Sequence, residues 1–160
     1  MESELMKVYH SKLNTNLILQ ELKEVTGSLE FATQYCLQGV KGDDSPLYGA
    51  REGKYLEHDE TEFTEFLFPQ LNYTNTLLDA FGMTRSRVMK IGPKSTLSYH
   101  RDPSWRLHIP LVTHDHCFML LEDRTYHMEV GNHYKVDTRV MHSFINLSKN
   151  VERIHIIGCI

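Results

Sequence analysis

The spacing of apolar residues changes character near residue 84, and the change divides the chain into two kinds of structure. Ahead of it the spacing is helical. In residues 15–25, TNLILQELKEV, Leu17, Ile18, Leu22 and Val25 share one helical face, Asn14 or Thr15 is placed to cap the first turn, and Gly27 ends the run. Residues 29–38, LEFATQYCLQ, predict a strand. The stretch GVKGDDSPLYGAREGKY, residues 39–55, is rich in Gly, Asp, Ser and Pro and predicts a loop. A loop of that length inside a compact domain is often a flap over a site. Residues 60–82, ETEFTEFLFPQLNYTNTLLDAFG, predict a helix in two pieces, divided at Pro69 and closed by Gly82.

Beyond residue 84 short runs follow one another: RSRVMKI, STLSYHR, RLHIPLV, CFMLLE, YHMEV, HYKVD, HSFINL and RIHIIG, each 5 to 7 residues long and separated by polar or Gly/Pro turns. Evenly spaced strands of this kind predict a mainly β fold, a sandwich or a closed jelly roll, with the N-terminal helices packed on one sheet. The pattern is that of one domain over residues 1–160: a helical front with a strand and a loop in 1–83, and a β-roll core in 84–160.

Length and composition narrow the class. A chain of 160 residues buries roughly 70% of its unfolded surface and needs no disulfide or structural metal to fold. Apolar content of 41% and charged content of 24% place it among globular proteins. The net charge of −4 argues against a nucleic-acid partner, which favours a basic face. Cys36, Cys117 and Cys159 are odd in number and lack CxxC spacing, which fits the thiols of a reducing cytosol. No apolar run reaches about 18 residues and no basic-then-apolar leader opens the chain. The expectation is a soluble cytoplasmic protein without a membrane partner. There is also no GxSxG or P-loop pattern to suggest a serine nucleophile or a nucleotide.

Composition leaves one feature unexplained: ten histidines, most of them after residue 99. His100 and Asp102 stand two apart, so on a strand they share a face and point into the barrel if that strand lines it. His142 opens a later strand. Two imidazoles and a carboxylate on one face suit Fe(II), with positions left open for a co-substrate and O2. The same three letters, HxD, also fit a surface His–Asp pair. Arg153 alternates with His155 and Ile157 in VERIHII. A guanidinium among apolar strand residues is costly unless it meets an anion, and its planar fork suits a carboxylate; a surface ion pair with Glu152 is the alternative. His114 and His116 also share a face, but at a predicted turn without a third ligand, and are read as exposed. His10, His58, His127, His133 and His155 are read as surface or packing residues. Gly131 is read as a turn residue of positive φ beside Asn132, and Asp137 as ordering the turn before His142. Tyr126, Met128 and Tyr134 are read as core or wall, and Ser143 and Asn146 as pocket lining or support for the ligands.

In order along residues 84–157, the motifs HxD, R-x-HIPL, Y-x-M-x-x-G-x-x-Y-x-x-D, H-S-x-x-N and R-I-H resemble the aspartyl/asparaginyl β-hydroxylase family of Fe(II)/2-oxoglutarate oxygenases, which includes free-proline hydroxylases. The resemblance implies a double-stranded β-helix, a cupin-like jelly roll with iron at its open end. It implies His100, Asp102 and His142 as iron ligands and Arg153 as the anchor of the distal carboxylate of 2-oxoglutarate. Arg106 and His108 match family positions near the co-substrate's other carboxylate. Some members lack the acid and hold iron with two histidines; Asp102 groups this chain with the full triad. The implied activity is hydroxylation of a C–H bond, with O2 consumed and 2-oxoglutarate decarboxylated to succinate. The chain is short and shows no added domains, so a free amino acid or other small molecule is the expected substrate, and an Asp, Asn or Pro residue of a peptide or protein the alternative. Arg51, Asp43 and Asp44 in the loop are candidates to meet an amino acid's charged ends. Outside the enzyme class, a non-catalytic cupin-like metal-binding module would keep the triad without an inward Arg153, and a plain β-sandwich interaction domain would scatter the three ligands.

Overall fold

On the long strands of the C-terminal half, successive residues face two different environments, and that alternation builds the molecule. A computed structural model describes residues 3–160. Its strands are β1 (Met6–Tyr9), β2 (Gln34–Cys36), β3 (Gln38–Gly39), β4 (Glu65–Phe66), β5 (Thr84–Ile91), β6 (Ser95–Thr96), β7 (Arg106–Val112), β8 (Cys117–Leu121), β9 (Arg124–Tyr126), β10 (His133–Val136), β11 (His142–Asn146) and β12 (Arg153–Cys159). Two helices, α1 (Thr15–Thr26) and α2 (Asn72–Ala80), precede β5. All pairings are antiparallel, and four of them are nested: β8 with β9, β7 with β10, β6 with β11 and β5 with β12. One long hairpin is thus rolled on itself, giving a six-stranded sheet, β1-β10-β7-β12-β5-β2, and a four-stranded sheet, β6-β11-β8-β9. This is the double-stranded β-helix.

On β12, Ile154 and Ile156 face out of the roll and Arg153, His155 and Ile157 face in. On β7, Leu107, Ile109 and Leu111 face out and Arg106 and His108 face in. The outward set is covered by Ile18 and Leu22 of α1 and Leu78 of α2, all fully buried, and forms the larger apolar core. Both faces of these strands are buried, yet RLHIPLV and RIHIIG open with Arg and His alternating with apolar residues, because one face meets the helices and the other the interior of the roll. A second core of Met6, Ile91, Met119, Leu121, Met128, Tyr134, Val136 and Phe144 fills one end of the roll's interior. Helix α1 begins and ends as its sequence predicts: the Asn14 side chain accepts from Leu17 N at 3.1 Å, and Gly27 takes φ +60.

Several expectations fail for identifiable reasons. The strand over 29–38 is cut short because Ser28 and Leu29 adopt φ of +65 and +67, and pairing begins only at Gln34. Residues 60–68 are not helical. Asp59 caps a single 3-10 turn, Glu60–Glu62, and the chain then pairs with the β3 segment, Leu67 N reaching Leu37 O at 3.0 Å, while Phe63 is fully buried. Sheet pairing there outweighs a locally helical pattern. In STLSYHR only Ser95–Thr96 is strand, and the run at 126–130 gives way to a strand one turn earlier, Arg124–Tyr126. The loop 39–55 holds two 3-10 turns, Tyr48–Ala50 and Gly53–Tyr55. Strand β1, too short to announce itself, pairs with β10. Gly131 has φ +91, and Asp137 accepts from Arg139 Nε at 2.8 Å in the turn before β11, both as expected. Among the described residues no helix is long and apolar enough to cross a membrane.

Candidate metal centre and its cavity

His100 and His142 are brought face to face by their own backbones. They form an isolated antiparallel bridge, exchanging N–H to carbonyl bonds of 3.0 and 2.8 Å, and their rings lie 4.5 Å apart. The Nδ1 of His100 lies 2.7 Å from the Ser98 carbonyl, and that of His142 lies 2.9 Å from the Val140 carbonyl. A carbonyl only accepts, so each Nδ1 carries the hydrogen and each Nε2 presents a lone pair. Asp102 lies outside any strand and is placed by its N–H donating to Thr138 O at 2.8 Å. Its carboxylate sits 3.7 Å from His100 Nε2 and 3.4 Å from His142 Nε2. One ligand atom from each of the three residues falls within 4.8 Å of the other two, the only such grouping found among the described residues. Three lone-pair-bearing atoms in that arrangement repel one another unless a cation lies between them, and imidazole with carboxylate is a donor set for Fe(II). Burial would raise the Asp102 carboxyl, but a hydrogen bond from His142, available whenever that ring also bears a proton on Nε2, and the charge of Arg106 bring it down to about 2. It is ionised at neutral pH.

Arg106 links this cluster to a residue that sequence reasoning missed. Its Nε lies 3.4 Å from Asp102 Oδ2, and its Nη2 donates to Glu60 Oε1 at 2.7 Å. Glu60 also accepts from Arg85 Nη1 at 3.1 Å and from Ser104 Oγ at 2.8 Å. Burial pushes the Glu60 carboxyl up, but Arg106, Ser104 and Arg85 outweigh it and hold it below its ordinary value. Replacing Glu60 by Ala leaves two buried guanidiniums without their shared partner and is expected to destabilise the fold by about 3–5 kcal/mol in chemical denaturation. A carboxyl whose folded pKa lies below its unfolded one contributes stability at neutral pH and loses it in acid. The gap between parent and Glu60→Ala should therefore narrow as pH falls below the ordinary value of 4.5. A gap that does not change with pH would contradict the ion-pair account.

Arg153 lies on the inner face of β12 with no exposed surface, and none of its three guanidinium nitrogens has a hydrogen-bond partner. Its guanidinium lies over the Phe144 ring at 4.2 Å. Burial lowers its pKa to about 9, which leaves it charged at neutral pH. Beside it the Nδ1 atoms of His108 and His155 are 3.3 Å apart. Burial and then the charge of Arg153 push both histidines down, His108 to about 3, so both are neutral. A buried cation without a partner is unfavourable by several kcal/mol unless an anion joins it.

One cavity of about 930 Å³ is lined by His100, Asp102, His142, Arg106, His108 and Arg153 together. Residues 50–53 and 58–60 form part of its wall, so the loop reaches the site through Arg51, whereas Asp43 borders a smaller hollow beside it and Asp44 does not line the cavity. His116 is exposed and His114 partly so. His155, read as a surface or packing residue, is fully buried, and His133 is packed between the rings of Tyr9 and Phe81. Asn146 does not line the cavity; it ties Ile91 O to Val151 O, and Ser143 donates to Leu97 O. Besides Glu60, the sequence reading missed Arg85, Arg87 and Gln34 as cavity residues. The arginines carried a signal: in RSRVMKI they alternate with Ser86 and Val88, so a charged face was written with strand period.

The sequence profile of the aspartyl/asparaginyl β-hydroxylase family matches residues 13–158. No curated protein matches the chain. Among solved structures, the viral collagen prolyl hydroxylase vCPH from Paramecium bursaria Chlorella virus-1 aligns over 98% of this chain and 91% of its own at 12% identity and a TM-score of 0.56. AviO1 from Streptomyces viridochromogenes Tue57 aligns over 96% and 87% at 14% identity and a TM-score of 0.55. At these identities the likeness is one of fold. An oxidoreductase of the 2OG-Fe(II) oxygenase family from Burkholderia pseudomallei aligns over 57% of each chain at 15% identity and a TM-score of 0.43. The chain thus spans 57% of the length of that protein, and 50% of that of a cupin-domain protein it also matches. Because the profile runs through both the helical front and the whole roll, the chain belongs to the aspartyl/asparaginyl β-hydroxylase family.

Proposed function

We propose that this chain is a 2-oxoglutarate-dependent hydroxylase of a free amino acid or another molecule of that size. His100, Asp102 and His142 hold Fe(II), and Arg153 holds the distal carboxylate of 2-oxoglutarate. The observation that carries the reading is Arg153, a fully buried guanidinium with three unpartnered nitrogens in the same cavity as the triad. A module that only bound a metal would have no use for it.

Each residue has a task that follows from its surroundings. The two Nδ1-to-carbonyl bonds fix the imidazoles with Nε2 forward. Asp102 supplies negative charge, and Arg106, itself held by Glu60, limits where its carboxylate can swing. His108 and His155 stay neutral, so neither adds charge beside the guanidinium of Arg153. Phe144, Met119, Met89 and Ile157 supply apolar wall to the same cavity. When bound, iron and the co-substrate supply the oxidising chemistry that converts C–H to C–OH as O2 is consumed and 2-oxoglutarate leaves as succinate and CO2. Ligand cavities run from about 300 to 1,000 Å³, so the space suits the co-substrate plus one small molecule and supports that substrate class.

The test is an anaerobic titration of the protein with Fe(II) and 2-oxoglutarate, followed by a screen of free amino acids for stimulated succinate formation. A visible charge-transfer band that needs both additions, and one or more amino acids that raise succinate output, are expected. Metal binding without the band would favour a non-catalytic module. A band with succinate stimulated only by peptides would move the substrate to a residue within a chain.

A further inference from the structure

Four arginines on the cavity wall are buried: Arg85, Arg87, Arg106 and Arg153, exposed by 5, 7, 4 and 0%. Two of them are neutralised. Arg85 and Arg106 share Glu60, and Arg106 also meets Asp102. Arg153 is assigned above to the co-substrate. Arg87 is left over. Its Nη1 donates to the neutral amide oxygen of Gln34 at 2.9 Å, its Nε is buried without a partner, and among the described residues no carboxylate comes within ion-pair distance of it. Arg85 and Arg106 lie close enough to act on it as further positive charge.

Position separates Arg87 from Arg153. Arg87 stands opposite Ile157, and Ile157 opposite His108, so these three form one row across the inner face of the large sheet. Arg153 is four residues further along β12, about 13 Å of strand. If 2-oxoglutarate rests one carboxylate on Arg153 and turns its keto-acid end to the triad, it has no carboxylate left for the row of Arg87. A second anion is needed there, and the other molecule the cavity must hold is the substrate.

We propose that Arg87 is the anchor for the substrate's carboxylate, oriented by Gln34, and that the substrate is a free amino acid held by its α-carboxylate. The inference rests on the oxygenase reading above. The guanidinium is a positioning group: Gln34 holds its Nη1, and the N–H groups that Gln34 does not take are left for a carboxylate to accept.

The experiment uses the protein loaded anaerobically with Fe(II) and 2-oxoglutarate. Free L-amino acids and their carboxamides are titrated in by calorimetry, with 2-oxoglutarate affinity measured separately. At least one amino acid is expected to bind, and its carboxamide about 30-fold more weakly, because the amide brings no charge to the guanidinium. Arg87→Gln should weaken the acid by about 30-fold and the amide little, with 2-oxoglutarate affinity changed less than about 3-fold, which also shows that the variant is folded. Arg87→Lys keeps the charge but not the fork and should fall between, so it serves if Arg87→Gln does not fold. Equal binding of the acid to parent and variants, or of acid and amide to the parent, overturns the inference. So does a panel in which nothing binds, or loss of 2-oxoglutarate from Arg87→Gln, which would give Arg87 to the co-substrate. A parent that takes Fe(II) but not 2-oxoglutarate brings down the oxygenase reading itself, and the inference with it.

Discussion

Arg153→Gln is expected to weaken 2-oxoglutarate binding by about 100-fold or more, while Fe(II) affinity stays within about 3-fold of the parent. A carboxylate on a buried guanidinium gains two charge-assisted hydrogen bonds at about 1.5–3 kcal/mol each, and about 1.4 kcal/mol is a factor of ten. Gln offers one neutral donor in place of the fork. The stability data should run the other way. In the ligand-free protein the guanidinium has lost its water and gained no hydrogen-bond partner, only the face of the Phe144 ring, so Arg153→Met should unfold at a higher temperature than the parent. Adding Fe(II) and 2-oxoglutarate at about a hundred times the dissociation constant should stabilise the parent by about 2.7 kcal/mol through mass action, and the variant only as far as the metal alone does. Anaerobic thermal unfolding with each addition reads both effects. A variant that is less stable without ligand yet binds 2-oxoglutarate normally would make Arg153 a packing residue.

The alternation in RLHIPLV and VERIHII carried most of what could be read in advance. Apolar residues at every second position, Leu107, Ile109 and Leu111 against Ile154 and Ile156, mark the face that the helices cover. The intervening Arg106, His108, Arg153 and His155 mark the interior. Strand period writes both faces into the sequence, so the inward charges were legible. The triad was legible as a set of residue types, but the reason given for its convergence was only partly right. The strand expected through His100 stops at Thr96, and Asp102 reaches its place through Thr138, a contact between remote segments that no local pattern encodes. Glu60 was hidden for a different reason. ETEFTEF has helical spacing, and only the pairing of residues 65–67 with the β3 segment turns the chain so that one 3-10 turn aims a carboxylate at Arg85 and Arg106. The cavity wall beside Asp102 is thus made of tertiary choices, and the inner face of the sheet of local ones.

His142→Ala is expected to weaken Fe(II), or Mn(II) as an air-stable probe, by about 100-fold or more, and to remove the rise in unfolding temperature that the metal gives the parent. One of the three proposed ligands is lost, and the other two cannot close around the gap, since His100 is held through Nδ1 by Ser98 and Asp102 through its N–H by Thr138. The bridge between residues 100 and 142 is made by backbone atoms, so truncating the side chain leaves the sheet intact and the metal-free variant should unfold within a few degrees of the parent. Asp102→Ala should lose the metal as well, because it removes the only negative charge of the set, and Arg106 keeps Glu60 as its partner there. The order of dependence then separates the two halves of the site. His142→Ala and Asp102→Ala should lose the metal and, with it, the iron-dependent part of 2-oxoglutarate binding, whereas Arg153→Gln should lose 2-oxoglutarate and keep the metal. If His142→Ala keeps the full metal-dependent stabilisation, the ion binds elsewhere, and Arg153 must be explained by an anion that owes nothing to iron.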